Sequence, residues 1–99
     1  MKQPSSIPKE VFNLLLKIKR MFPVEQILLF GSRARGDFKE RSDIDIAISA
    51  PACNSRQWLE IEELLLYNSV SLLNIDLVRF DQITDPTFKE RIESESISI

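Results

Sequence analysis

Both glycines of this chain lie in one short loop between two apolar runs. Gly31 directly follows the run 26–30 (QILLF), and Gly36 precedes the run 42–49 (SDIDIAIS). The first run is short and almost continuously apolar, which is typical of a strand that is buried on both faces. The second run alternates between isoleucine and other residues, which places the two sets on opposite faces of a strand. The loop is therefore predicted to join two strands of a sheet.

Helical patterns surround these strands. Pro8 suits the first turn of a helix, and the apolar face of that helix recurs at helical spacing at Val11, Leu14, Leu15, Ile18 and Phe22. A second helix is predicted to begin at a capping box, Asn54 with Gln57, and to run to about residue 67. A third strand is predicted at 74–80 and a last helix at 86–93, and 97–99 is a candidate for a short final strand. This order predicts one domain, residues 1–99, of the α/β (α+β) class, with a small mixed β-sheet flanked by helices.

The composition excludes several kinds of chemistry. The chain has no histidine and a single cysteine, which excludes histidine-dependent catalytic triads, histidine-ligated metals and an internal disulfide. The net charge is −2, so direct binding of DNA through a basic face is not expected. The N-terminus lacks the apolar core of a signal peptide, and no run reaches transmembrane length. These features predict a cytoplasmic protein with no membrane partner.

The loop 31–36 (GSRARG) has the composition of a phosphate-binding turn. It directly follows a strand, where α/β proteins often bind phosphate, and glycine lets the backbone approach an anion closely. The Ser32 hydroxyl can donate to a phosphate oxygen. The segment is also the most basic in the chain, because of Arg33, Arg35, Lys39 and Arg41. The alternative is a solvated basic turn that binds no ligand.

Two familiar phosphate-binding motifs do not match. Gly31 and Gly36 have the spacing of a Walker A loop, but Asp37 and Phe38 follow where that loop needs Lys and then Ser or Thr. The Rossmann fingerprint requires a G-x-G sequence, which this chain lacks. Both assignments are rejected.

Aspartates interrupt two of the predicted strands. Asp43 and Asp45 lie at i and i+2, so they share one strand face, and aspartate is depleted in strands. Asp76 lies between two apolar residues of the third strand, where an unpaired charge would be costly. If the two strands are neighbours, three carboxylates gather beside the basic loop. Such a set suits Mg²⁺ and two-metal nucleotidyl transfer, whereas the alternative is that the aspartates decorate a solvated strand face.

The combined spacing resembles a known family. Gly31-Ser32 is followed by ten residues and then by Asp43-Ile44-Asp45, which is similar to the Gly-Ser, ten residues, Asp-x-Asp motif of minimal nucleotidyltransferase (MNT) domains. These domains belong to the DNA polymerase β superfamily, and the resemblance covers essentially the whole chain. It implies a polymerase β-like nucleotidyltransferase fold. It also implies an enzyme that moves NMP, as AMP from ATP, to a hydroxyl with release of pyrophosphate.

The resemblance also implies roles for individual residues. ATP would be held in the loop by nucleotide-binding residues at Gly31, Ser32, Arg33 and Arg35. Mg²⁺, as two ions, would be bound by the three catalytic carboxylates of Asp43, Asp45 and Asp76. Asp76 would be the third carboxylate of the family and would help to activate the acceptor.

Family members of this length are commonly paired with a HEPN-domain protein, a helical ribonuclease toxin. The resemblance therefore implies an antitoxin that adenylylates a tyrosine of a HEPN partner in a hetero-oligomer. Three alternatives stay open: a non-catalytic antitoxin that covers its partner, a nucleotidyltransferase for a small molecule or RNA with a separate acceptor-binding subunit, and a structural domain without activity. Trp58, Tyr67 and Phe88 are candidates for a partner surface, although helical aromatics are more often core residues.

Overall fold

The computed structural model of the protein describes residues 6–67 and 73–99, in which four strands form one sheet in the order β3-β2-β1-β4. The strands are β1 (Gln26–Phe30), β2 (Ile44–Ser49), β3 (Ile75–Arg79) and β4 (Ile97–Ser98). β1 is antiparallel to both β2 and β4, whereas β2 and β3 are parallel. The predicted mixed sheet is confirmed.

Helices connect and flank these strands. In the described part of the chain they are α1 (Lys9–Met21), α2 (Ser32–Arg35), α3 (Ser55–Glu62) and α4 (Pro86–Glu95). The predicted capping box is present at the start of α3, because the Asn54 side chain accepts from the Gln57 amide and the Gln57 side chain accepts from the Asn54 amide. A π-helical segment, Glu63–Tyr67, continues α3, and a 3₁₀ turn, Phe80–Gln82, follows β3. None of the helices among the described residues is long and apolar enough to span a bilayer.

Helices cover both faces of the sheet. One face packs with α1, α3 and the π-helical segment in a core that includes Val11, Leu15, Ile18, Ile27, Leu29, Ile44, Ile46, Ile48, Ile61 and Leu65. The other face packs with α4 in a smaller cluster of Leu28, Phe30, Ala47, Phe80 and Ile92. Because alternate strand residues share a face, Asp45 lies on the same face as Ala47, and Asp76 on the same face as Val78. Both aspartates therefore belong to the α4 face of the sheet.

Several element boundaries differ from the prediction. β3 is one residue shorter at each end and β4 ends at Ser98, and two further differences concern β2 and α4. β2 begins at Ile44, so Asp43 precedes the strand instead of lying within it. The reason is that Ile44 pairs with Ile75, the first residue of β3, and the pairing with β1 begins one residue later, at Asp45. α4 extends to Glu95, two residues beyond its predicted end. Both differences bear on the site described below.

The three candidate surface aromatics have different environments. Trp58 and Phe88 are half-buried and pack against the two apolar clusters, as expected for core residues. Tyr67, in contrast, is 77% exposed at the end of the π-helical segment. Of the three, Tyr67 alone presents most of its side chain to solvent.

Candidate active site

The Gly31 turn joins β1 to α2 through a backbone conformation that favours glycine. Gly31 has φ 73° and ψ −156°, a region that is essentially restricted to residues without a side chain. Its carbonyl accepts hydrogen bonds from the amides of Ala34 and Arg35, each at 3.1 Å, and these bonds begin α2. Ser32 follows as the first residue of that helix and is half-buried. The turn therefore lies at the carboxyl end of β1, beside the start of β2.

Asp45 lies between this turn and the third predicted carboxylate. In the sheet register it is opposite Phe30, the residue before Gly31, on one side and opposite Asp76 on the other. Adjacent strands are about 4.8 Å apart, so Asp45 and Asp76 are direct neighbours on the α4 face. Asp43 is close enough for its charge to act on Asp45. The structure thus places Asp45 next to Gly31 and beside Asp76, with Asp43 near enough to act on Asp45 through its charge.

Negative charge at this site is only partly compensated. Burial raises the pKa of the Asp45 carboxyl above its ordinary value of 3.8, and the charges of Asp76 and Asp43 raise it further. The charge of Arg35 acts in the opposite direction, and that of Glu95 adds to the increase. Within the described part of the chain, no side chain of the three aspartates makes a hydrogen bond or an ion pair. A bound cation would relieve this repulsion.

The three aspartates supply the kind of ligand that Mg²⁺ prefers, but they do not form a complete metal site by themselves. Mg²⁺ takes oxygen ligands and is usually held by one or two carboxylates together with phosphates and water. Asp45 is half-buried, while Asp43 and Asp76 are exposed, so the cluster is open to solvent. Among residues 6–67 and 73–99, no three side chains form a ready-made metal cage. A cation at this place would therefore need further ligands, such as the phosphates of a bound substrate and water.

Arg33 is placed differently from the expected nucleotide contact. Its side chain is buried, and its guanidinium donates to the carbonyls of Ser42 and Glu40, each at 3.0 Å, and also to those of Lys39 and Ser6. The Phe38 ring lies 4.8 Å from the guanidinium carbon. The contacts of Arg33 therefore connect its guanidinium to the segment that leads to Asp43.

Arg35 and Glu95 form the exposed side of the turn. Arg35 is exposed and pairs with Asp37 and with Glu95, in each case at 3.3 Å. Glu95 also accepts a hydrogen bond from the Gly31 amide at 3.2 Å. Sequence analysis missed Glu95, because it lies 64 positions from Gly31 and nothing near it in the sequence indicates the contact.

A cleft of about 660 Å³ lies next to the chain segments that precede β2 and β3. It is lined by Glu40, Arg41, Leu73 and Asn74. Arg41 and Asn74 each lie two residues before an aspartate of the cluster, Asp43 and Asp76 respectively. The cleft therefore borders the segments that lead to these two carboxylates.

Comparison with known sequences shows the family of this chain. The family model described as "Polymerase beta, Nucleotidyltransferase" matches residues 13–99. The protein MJ1379 of Methanocaldococcus jannaschii, named as a candidate protein adenylyltransferase, is 39% identical over 93 residues, which are 92% of this chain and 93% of that protein. A second protein of the same organism and with the same kind of name, MJ1217, is 40% identical over the same shares of both chains.

Solved structures show the same fold. A crystal structure of a toxin–antitoxin with AMP-PNP has a TM-score of 0.66 and 24% identity, covering 87% of this chain and 69% of that one. A variant of the toxin–antitoxin MntA-HpeT has a TM-score of 0.65 and 23% identity, covering 89% of this chain and 70% of that one. At these identities the likeness concerns the fold alone.

Proposed function

The chain belongs to the polymerase β nucleotidyltransferase family, and from this premise we propose that it transfers AMP from ATP to a hydroxyl group in a Mg²⁺-dependent reaction. The observation that carries this proposal is that Asp45 lies between the Gly31 turn and Asp76, with Asp43 close enough for its charge to act on Asp45. The turn supplies backbone and hydroxyl donors, and the aspartates supply oxygen ligands. A triphosphate and its cation need both sets of groups within reach of each other.

Each part of the site has a proposed task. The Gly31 turn and the Ser32 hydroxyl bind the phosphates, and the three aspartates hold the cation. Mg²⁺, when bound, offsets the charge of the triphosphate and of the leaving pyrophosphate. The acceptor oxygen attacks the α-phosphorus, the bond from that phosphorus to the bridging oxygen breaks, and pyrophosphate leaves with the electron pair. The acceptor proton passes to a carboxylate, for which we propose Asp76.

For the acceptor, we propose a tyrosine of a partner HEPN toxin, so that the chain acts as an antitoxin. The names of the relatives, which denote protein adenylyltransferases, support a protein acceptor. The neighbours with the same fold come from toxin–antitoxin pairs, which supports a toxin as the partner. The carboxylates of Asp43 and Asp76 are exposed, which supports access by an acceptor side chain from solvent.

The test is a transfer assay with the product of the neighbouring gene. Purified protein, that partner, Mg²⁺ and ATP labelled on its α-phosphate are mixed, and the label on the partner is located by peptide mapping. We expect label on a partner tyrosine with the wild-type chain and none with Asp43→Asn/Asp45→Asn. The matched control is Glu90→Gln/Glu93→Gln, which removes the same charge from exposed positions on α4.

Other outcomes separate the alternatives. Label on an RNA end or on a small molecule would mean that the acceptor is not a protein and that a separate subunit binds it. If the partner stays unlabelled but is inhibited equally by wild type and by Asp43→Asn/Asp45→Asn, the chain is a non-catalytic antitoxin. If Mg²⁺-ATP produces no heat in calorimetric titration and no label moves, the proposal fails altogether.

A further inference from the structure

Glu95 occupies the groups that would otherwise bind a phosphate at the Gly31 turn. Its Oε1 accepts a hydrogen bond from the Gly31 amide, with 3.2 Å between the nitrogen and the oxygen. Its Oε2 lies 3.3 Å from Nη1 of Arg35. The side chain is only 17% exposed, so the contact lies in a partly enclosed place. The Gly31 amide and the Arg35 guanidinium are the two donors of this turn best suited to an anion. The Glu95 carboxylate binds both of them.

The position of Glu95 is electrostatically unfavourable apart from these contacts. It is the last residue of α4, and a negative charge at a helix C-terminus opposes the helix dipole. It also adds its charge to the field of the aspartate cluster around Asp45. The compensating groups are Arg35, the Gly31 amide and Arg91, whose Nε lies 3.9 Å away. Glu95 is thus retained at the turn by groups that a triphosphate would also attract.

We propose that Glu95 is an internal competitor of the nucleotide, which holds the Gly31 amide and Arg35 in the free protein and is displaced when the triphosphate binds. This inference rests on the proposed function, since it concerns the same site. The competition lowers nucleotide affinity, and after transfer the returning carboxylate favours the departure of pyrophosphate from the turn. Removal of the Glu95 charge should therefore strengthen binding, although it removes a contact of the folded protein.

The binding experiment compares three proteins by calorimetric titration with a Mg²⁺-bound, non-hydrolysable ATP analogue. Glu95→Gln keeps an oxygen that can accept the Gly31 amide but loses the charge, and we expect it to bind the analogue about threefold to tenfold more tightly than wild type. Glu93→Gln removes the same charge from an exposed position on the same helix and should match wild type. In an Arg35→Gln background the gain from Glu95→Gln should shrink, because the competing pair is already broken.

Displacement itself can be observed by NMR. The chain has only two glycines, so selective ¹⁵N-glycine labelling gives one signal from the Gly31 amide and one from Gly36. We expect Glu95→Gln to shift the Gly31 signal in the free protein, whereas the two proteins should coincide when saturated with the analogue. The Gly36 signal should stay in place throughout and reports that the variant is folded.

The outcomes distinguish this inference from the proposed function. Weaker binding by Glu95→Gln, or binding equal to that of Glu93→Gln, would overturn the inference and leave the nucleotidyltransferase proposal intact. A Gly31 signal that still differs between wild type and Glu95→Gln at saturation would show that the carboxylate stays in place, and would overturn it also. Failure of every variant to bind nucleotide would overturn both.

Discussion

The Asp45 carboxylate lies where any side chain on Gly31 would have to be. A Cβ built on Gly31 would lie 3.0 Å from Cγ of Asp45 and would collide with its Oδ2. Gly31 is also held at φ 73°, so both its backbone conformation and its missing side chain are needed. The turn and the central carboxylate are therefore packed as one unit, and a change in either one displaces the other.

Gly31→Ala should damage the site and the fold together. The strained backbone and the collision with Asp45 should cost about 1–3 kcal/mol of unfolding free energy, measured by urea denaturation. Nucleotide binding should be lost because the Asp45 carboxylate must move. Gly36→Ala is the matched control: Gly36 also has a positive φ, of 93°, but a Cβ there would meet nothing within 4 Å. That variant should lose stability without losing nucleotide binding, and equal loss of binding in both would contradict the packing argument.

Asp45→Asn should stabilise the metal-free protein at neutral pH. Burial, together with Asp76 and Asp43, raises the pKa of the Asp45 carboxyl in the folded state. Because the folded-state pKa is raised, the stability that the protonated carboxyl contributes is fully present below the unfolded pKa. This stability is lost as the pH rises through the folded pKa. Near neutral pH the ionised carboxylate thus lowers the free energy of unfolding, and asparagine removes that penalty.

Thermal melts in EDTA, from neutral pH down into the acid range, measure the stability that Asp45→Asn adds. The melting temperature of Asp45→Asn should exceed that of wild type at neutral pH, and the difference should shrink as the pH falls toward 3.8, the ordinary pKa of aspartate. Adding Mg²⁺ and nucleotide should raise the melting temperature of wild type and not of the variant. A difference that is independent of pH would mean that ionisation of Asp45 is not its source.

Local features of the fold were predictable from the sequence. β1 occupies the predicted residues 26–30 because its run is apolar and ends at a glycine, and α3 begins at its predicted capping box because both partners are local. The Gly31 turn could be singled out because glycine permits a tight turn after a strand, and the aspartates because aspartate is depleted within strands. These signals all lie within a few residues of the features that they predict.

Features that depend on tertiary contacts could not be predicted. Whether Asp76 lies beside Asp45 depends on the parallel pairing of β2 and β3, whose residues are far apart in the chain. Arg33 in a basic loop suggests exposure, but it is buried because its guanidinium is surrounded by three carbonyls of the following loop and by that of Ser6, 27 positions away. The contact between Glu95 and Gly31 likewise requires α4 to pack across the end of β1.

Asp76→Asn should impair transfer more than nucleotide binding. Asp76 is more distant from the Gly31 turn than Asp45 is, since β2 lies between β3 and β1. Loss of a metal-binding and proton-accepting carboxylate should lower the rate of transfer by more than about 100-fold. Calorimetry with the ATP analogue should show a much smaller change in affinity. Turnover at the wild-type rate would remove Asp76 from the proposed site.

Arg33→Gln should destabilise the fold, whereas Arg35→Gln should affect the site. The Arg33 guanidinium is buried and serves several carbonyls that would lose their donor, so its loss should cost about 2–3 kcal/mol of unfolding free energy. Arg35 is exposed, so urea denaturation of Arg35→Gln should change little. Nucleotide affinity should respond in the opposite way, falling in Arg35→Gln and staying near wild type in folded Arg33→Gln.

Arg33→Lys keeps the charge but not the geometry of the guanidinium, so it should restore little of the lost stability. Full rescue by lysine would mean that the charge of Arg33, and not its hydrogen bonds to the segment before Asp43, accounts for its contribution to stability.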